Sequence, residues 1–310
     1  MSTAAAVEIS GIAKAFGALR AVDDLSMTID RGEMFALVGP DGAGKTTTVR
    51  MLCGILKPDR GSASVFGLDV QSGSDEVKGK IGYLSQRFSL YGDLSIDENI
   101  EFFSEIHGVR DFHARREELL RFTRLTEFRQ RLADRLSGGM RQKLALACTL
   151  IHTPDLLILD EPTTGVDPVS RRDFWVILQS LVREGMTIVL TTPYLDEAER
   201  CSSVALMNRG RIMESGRPAE LRTKVDGEVL EIVCKPVRQA FHLLRSSESF
   251  TSVQAFGDRV NVVVRRSADD RPRVEEILRN GKIAIQDIRV VRPTLENLFI
   301  SLMSRSEVSS

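Results

Sequence analysis

At 310 residues the chain is long enough for one large domain and a small one, and its 42% hydrophobic and 27% charged residues are those of a globular protein rather than a disordered one. A formal net charge of −1 leaves no general electrostatic footprint for nucleic acid, and no nucleic-acid partner is expected. Cys53, Cys148, Cys201 and Cys234 are widely spaced with no C-x-x-C pair, which argues against a disulfide framework and suits buried thiols in a reducing compartment.

From Val7 to Ile29 short apolar segments alternate with turn signals, so the chain is expected to start β-rich. Met34 to Val38 reads as a buried strand and Thr47 to Leu56 as a helix, ended by Lys57-Pro58-Asp59-Arg60-Gly61. Ser62 to Phe66 and Ile81 to Ser85 are two further strands. From Ile96 to Leu150 the spacing turns helical, with Ile100, Phe103 and Ile106 on one face. Arginine is dense from Arg110 to Arg141, but interleaved glutamates mark solvated helix faces. The α/β pattern then returns as a strand at Leu156 to Leu159, a helix at Ser170 to Arg183, a strand at Thr187 to Thr191 and a helix from about Leu195.

Beyond about Lys224 a second, smaller unit is expected. It reads as strand Val229 to Lys235, helix Val237 to Arg245, strands Ser252 to Phe256 and Arg259 to Arg265, helix Arg273 to Asn280, strand Ile283 to Val290 and helix Thr294 to Met303. The first six follow a βαββαβ order that a ferredoxin-like sandwich accommodates. Gly257-Asp258 is the hairpin turn, Pro272 and Pro293 stand near helix starts, and a Ser-rich frayed tail follows Met303. The first residues lack the features of a secretory signal, and no run of 18 uninterrupted apolar residues occurs. If the protein acts at a membrane, another chain is expected to span it.

Gly39 to Thr46 read GPDGAGKT, the G-x-x-x-x-G-K-[ST] pattern, placed between a strand and a helix. The glycines let backbone N–H groups turn inward around phosphate oxygens, the helix N-terminus adds partial positive charge, Lys45 supplies a full charge, and the Thr46 hydroxyl suits Mg²⁺. Such a loop needs acids at the end of a neighbouring strand, and Leu156-Leu157-Ile158-Leu159-Asp160-Glu161 provides them, Asp160 on the metal side and Glu161 as general base. An apolar strand ending in acids also occurs without chemistry. Ser137-Gly138-Gly139 opens another helix, Ser137 as N-cap, and offers a second phosphate-binding surface or simply a capped helix with a flexible start.

In this order the motifs resemble the ATPase subunit of an ABC transporter, over roughly the first 224 residues. The resemblance implies a P-loop NTPase cassette at 1–224 with a helical subdomain at about 87–150, followed by a C-terminal α+β accessory domain at 225–310. Nucleotide contacts are expected from Gly39, Pro40, Asp41, Gly42, Ala43, Gly44, Lys45, Thr46 and Thr47, and from Ser137, Gly138 and Gly139 of the signature. Asp167 matches the D-loop. Gln86 matches the Q-loop glutamine, expected near Mg²⁺ with Thr46 and Asp160. Phe16 matches the aromatic that stacks on adenine; otherwise it is a sheet-edge aromatic packed for its own sake. Lys45, Gln86 and Glu161 are the expected catalytic set.

The resemblance implies ATP and Mg²⁺ as ligands, a head-to-tail homodimer or heterodimer, and an integral membrane subunit docking near Gln86 and residues 87–107. It places the chain on the cytoplasmic face of a membrane, powering export, and the C-terminal unit is similar to the tail of drug- and sodium-exporter-like members. Three positions depart from the family. Asp41 replaces Asn, Met140 replaces the signature Gln as in drug-exporter-like members, and Pro193 stands where a histidine contacts the γ-phosphate. Pro193 keeps a slowly turning ATP-dependent clamp open as an alternative, and a non-transport ABC ATPase is a second.

Overall fold

The structure, a computed structural model, describes residues 5–87, 90–247, 249–250 and 252–308. The chain divides into two compact units, Met1–Ser215 and Gly216–Ser310. The second thus begins before Lys224, at a glycine just ahead of a proline-initiated helix.

The first unit opens with the long antiparallel pair β1 (Ala5–Phe16) and β2 (Leu19–Asp30). β3 (Met34–Val38) leads into α1 (Lys45–Leu52), after which β4 (Arg60–Val65) and the two-residue β5 (Leu68–Asp69) complete a sheet of order β2-β1-β4-β5. α1 stops four residues before the expected Leu56, because Gly54 takes a positive φ of 66°. α2 (Ser74–Lys80), unforeseen in a polar stretch, precedes β6 (Ile81–Leu84).

The expected helical stretch resolves into α3 (Ile96–Ile106), α4 (His113–Thr123) and α5 (Gly138–Leu150), with two 3₁₀ turns between the last two. Ser95 starts α3 with a capping box: its hydroxyl accepts from Glu98 N–H while the Glu98 carboxylate accepts from Ser95 N–H. α5 packs against α3, α4 and β6, which fixes its N-terminus in space.

β7 (Leu156–Asp160), α6 (Pro168–Arg183), β8 (Thr187–Thr192), the one-turn α7 (Leu195–Ala198), β9 (Ser203–Asn208) and β10 (Arg211–Gly216) follow. The second sheet has the order β10-β9-β3-β8-β7-β6, and β9, β3, β8, β7 and β6 run parallel. β3, β7 and β8 are buried along their whole lengths, as expected of parallel strands covered on both faces. β8 therefore lies between the strand ahead of the phosphate loop and the strand that ends in the acids.

The second unit comprises α8 (Pro218–Arg222), β11 (Glu228–Lys235), α9 (Val237–Arg245), β12 (Ser252–Phe256), β13 (Arg259–Val264), α10 (Ser267–Asn280), β14 (Ala284–Val291) and α11 (Leu295–Val308). The sheet order β12-β13-β11-β14, antiparallel throughout, is the ferredoxin-like arrangement of a βαββαβ chain. Leu230, Ile232, Val260 and Val262 of the sheet form a core with Ala240 and Leu244 of α9 and Val274 and Leu278 of α10. α11 packs against β12, where buried Asn297 donates to Gln254 Oε1 at 2.9 Å.

Two boundaries in this unit differ from expectation. α10 starts six residues before Arg273, so Pro272 lies inside the helix rather than at its start; Asp270 accepts from the N–H groups of Arg265 and Arg266 and moves the start upstream. α11 runs past Met303 to Val308, since no glycine or proline follows Pro293 to stop it; the end of the expected frayed tail, 309–310, lies outside the described residues. All four cysteines are buried and free.

Candidate nucleotide site

The loop between β3 and α1 borders an open cleft of about 730 Å³. Its walls carry Asp41, Gly42, Ala43, Gly44, Lys45, Thr46 and Thr47 from the loop, Phe16, Leu19 and Ala21 from the β1–β2 hairpin, Gln86 after β6, Glu161 and Thr164 after β7, and Pro193 and Tyr194 after β8. The loop's shape depends on glycine at its last turn. Gly44 has φ 104°, and a Cβ there would stand 2.2 Å from the Ala21 carbonyl oxygen.

Lys45 is the first residue of α1 and its ammonium is buried. Nζ donates to the carbonyls of Gly39 at 2.8 Å and Pro40 at 3.0 Å, and lies 3.1 Å from Glu161 Oε1. Gly39 and Pro40 thus reach the site through backbone oxygens behind the cleft wall. The other Glu161 oxygen accepts from Gln86 Nε2 at 3.1 Å and Thr164 Oγ1 at 3.4 Å. Glu161 sits at φ 50°, a left-handed conformation unusual for a glutamate, and its N–H is held by the Thr191 carbonyl and hydroxyl. That turn carries the carboxylate back over the loop.

One layer deeper, Asp160 Oδ1 accepts from Thr46 Oγ1 at 3.0 Å and from Thr191 Oγ1 at 2.6 Å. The second bond follows from strand register, because Asp160 and Thr191 are direct partners across β7 and β8. Asp160 Oδ2 is buried and has no hydrogen-bond partner. Its carboxylate adds to burial in pushing Tyr83 up to about 12, and Cys53 upward as well. Phe16 is 51% exposed at the hairpin tip, with Lys14 Nζ 5.9 Å from its ring centroid.

Ser137, Gly138, Gly139 and Asp167 do not line this cleft. They form a separate patch where two helices begin. Ser137 caps α5 by accepting from Met140 N–H, and Asp167 caps α6 by accepting from Val169 and Ser170 N–H. Those bonds, the Ser170 bond largest, hold the Asp167 carboxyl below the usual carboxylate range. The two starts touch: a Cβ on Gly139 would stand 2.1 Å from Ser170 Oγ.

Thr191, Thr164 and Glu197 were not singled out from the sequence. Glu197 is 1% exposed on the one turn of α7 and accepts from Thr163 and Thr192 hydroxyls, Arg171 Nε and Trp175 Nε1. The Thr192 hydroxyl is therefore committed to Glu197, while Tyr194 lies beneath the Arg171 guanidinium, 4.7 Å from it.

Residues 22–164 match the ABC transporter family, and residues 216–303 match the C-terminal domain of DrrA1-3-like ATP-binding proteins. The daunorubicin resistance ATP-binding protein DrrA3 of Streptomyces coeruleorubidus is 35% identical over 305 residues, covering 96% of this chain and 95% of that protein. The chain belongs to the ABC transporter ATP-binding proteins. The probable multidrug ABC transporter ATP-binding protein YbhF of Escherichia coli is 42% identical over 221 residues, 70% of this chain but only 38% of YbhF. The chain thus spans well under half of that relative's length. Among solved structures, an ATP-binding subunit of an ABC transporter superposes with TM-score 0.63 at 30% identity, over 70% of this chain and 92% of that one. Membership of this family carries with it a nucleotide-binding cassette, and the superposition covers a share of the chain about as long as the first unit.

Proposed function

We propose that the chain binds MgATP in the cleft and hydrolyses it to power an exporter, acting as a homodimer or heterodimer beside an integral membrane subunit at the cytoplasmic face. The convergence of Lys45, Gln86 and Glu161 on one cleft wall, with Asp160 beneath, carries this reading. Among the described residues no helix is long and apolar enough to cross a membrane. A relative named for daunorubicin resistance and one named as a probable multidrug transporter protein support the export direction. Docking of a membrane subunit is assigned to Gln86 and residues 87–107, of which 88–89 lie outside the described residues.

The proton chemistry follows from who holds whom. Without nucleotide, Lys45 neutralises Glu161; a triphosphate in the loop gives Lys45 new anionic partners and frees the Glu161 carboxylate, still steadied by Gln86. Glu161 then takes a proton from water as its oxygen bonds to the γ-phosphorus and the bond to the ADP oxygen breaks. The donors near Asp160 fit Mg²⁺: the orphaned Asp160 Oδ2, the Thr46 hydroxyl and the Gln86 side chain supply oxygen atoms, the type it prefers. When bound, Mg²⁺ neutralises charge that develops on the phosphates.

Four of the expected contact residues, Ser137, Gly138, Gly139 and Asp167, lie away from the cleft in a patch of their own, which supports a site completed by a second chain. Glu161→Gln should retain MgATP but stop hydrolysis, so that an ATP-dependent dimer accumulates in light scattering. A monomer at saturating ATP, in the presence of the membrane subunit, would refute the head-to-tail dimer. Pro193 favours a second reading, a clamp that turns over slowly, because proline offers neither side-chain donor nor N–H at the cleft wall.

A further inference from the structure

Glu197 lies four residues after Pro193, in the 191–199 stretch that aligns with the family's switch loop; it does not line the cleft, yet it is a buried carboxylate with four donors aimed at it. Oε1 accepts from Thr163 Oγ1 at 2.5 Å, Arg171 Nε at 2.5 Å and Trp175 Nε1 at 3.4 Å, and Oε2 accepts from Thr192 Oγ1 at 2.6 Å. An ionised carboxylate is the one side chain that accepts from so many donors while returning none. The four donors come from three parts of the fold: the turn after β7, the end of β8 and α6.

Thr163 lies in the turn that carries Glu161: Thr164 N–H bonds the Glu161 carbonyl and Val166 N–H bonds the Thr163 carbonyl. Thr192 ends β8, and its carbonyl accepts from Gly39 N–H at the start of the phosphate loop. Its hydroxyl also accepts from Tyr194 N–H at 3.1 Å, which folds the chain across Pro193. Arg171 and Trp175 stand on α6, the helix that Asp167 caps. Arg171 further pairs with Asp196 at 3.2 Å and covers the Tyr194 ring.

We propose that Glu197 is a positioning residue for ATP turnover, fastening the Glu161 turn, the strand end before Pro193 and the α6 start into one body. The inference rests on the ATPase reading above and deepens it. In a cassette whose residue 193 has no donor for phosphate, the loop cannot be located through that side chain. Glu197 locates it from behind, through Thr192. A shift of about 1 Å in a group that orients water costs on the order of a hundredfold in rate. Loosening this anchor should therefore lower kcat while leaving KM for ATP, which is set by the loop and Phe16, nearly unchanged.

Glu197→Gln keeps size and one acceptor oxygen but removes the charge facing Arg171. In the full chain, kcat should fall about tenfold with KM within about twofold, and Glu197→Asp should recover part of the loss. Trp175 is the sole tryptophan, and its indole N–H bonds Glu197, so its emission reports the anchor directly. MgATP should change that emission in the wild type and change it less in Glu197→Gln. If Glu197→Gln does not fold, Thr163→Val and Arg171→Lys each remove one contact and should each lower kcat about threefold or more. Unchanged kcat in a folded Glu197→Gln protein, or in both substitutes, overturns the proposal. A wild type that does not hydrolyse ATP overturns the ATPase reading and this one with it; hydrolysis that survives Glu161→Gln overturns Glu161 as the base and with it this anchoring role; hydrolysis that needs Glu161 but ignores Glu197 overturns only this one.

Discussion

The Lys45–Glu161 pair should be measurable as a coupling in the nucleotide-free protein. Both side chains are buried, and Nζ and Oε1 are 3.1 Å apart. At an effective dielectric constant of about 20 the attraction is about 5 kcal/mol, and desolvation of two ions offsets roughly half. Lys45→Met leaves the Glu161 carboxylate with only the Gln86 amide and Thr164 hydroxyl among its described partners, so stability should fall by about 3 kcal/mol. Glu161→Gln leaves Lys45 two loop carbonyls and a neutral amide, for about 1–2 kcal/mol. The double variant should lose about as much as Lys45→Met alone, a coupling of about 1–2 kcal/mol. Urea unfolding of the four proteins without nucleotide, followed by circular dichroism, measures it. Single effects that add to within about 0.5 kcal/mol would refute the claim that Glu161 holds the lysine in the nucleotide-free protein.

Pro193→His should raise kcat tenfold or more if the missing donor limits hydrolysis, since one such donor is worth about 10² to 10³; no gain over a wild type already turning over at about 1–10 s⁻¹ would contradict it. Gly139→Ala puts a methyl against Ser170, so it should destabilise the cassette by about 1–3 kcal/mol and weaken ATP-dependent dimerisation in light scattering; a neutral effect on both would show that the two helix starts separate freely. Burial, with a contribution from the stacked His107, holds the His152 imidazole down at about 4. Between the ordinary histidine value near 6.5 and that value the unfolded chain binds a proton the folded one refuses, so stability is lost as pH falls through this window, by about 1 kcal/mol near pH 5 after solvent screening. His152→Gln should flatten the dependence of Tm on pH between about 7 and 5; an unchanged slope would assign the effect to other groups.

Features carried by contiguous residues are legible in the sequence itself. The phosphate loop, the acids ending β7 and the fully apolar strands each declare themselves within a few residues, because a strand buried on both faces must be apolar and a phosphate loop must be glycine-rich. The βαββαβ order was likewise legible, and the sheet order agrees with it. What stayed hidden is what depends on partners far along the chain. Thr191 looks like any strand-end threonine until register places it beside Asp160, and Glu197 like one acid among several until α6 closes over it. Pro272 misled because proline favours a first turn, whereas Asp270 had already started the helix.

The burial of all four cysteines has a practical side. Only a thiolate reacts readily with alkylating reagents, and burial pushes Cys53, Cys148, Cys201 and Cys234 upward, away from ionisation. The folded chain should thus react only slowly with maleimides, without any removal of native cysteines. A single cysteine introduced at Gly138 or Asp41 would be the one fast-reacting thiol, ready for a cross-link or a fluorophore, and slow labelling of the native four would clock how often each unit opens.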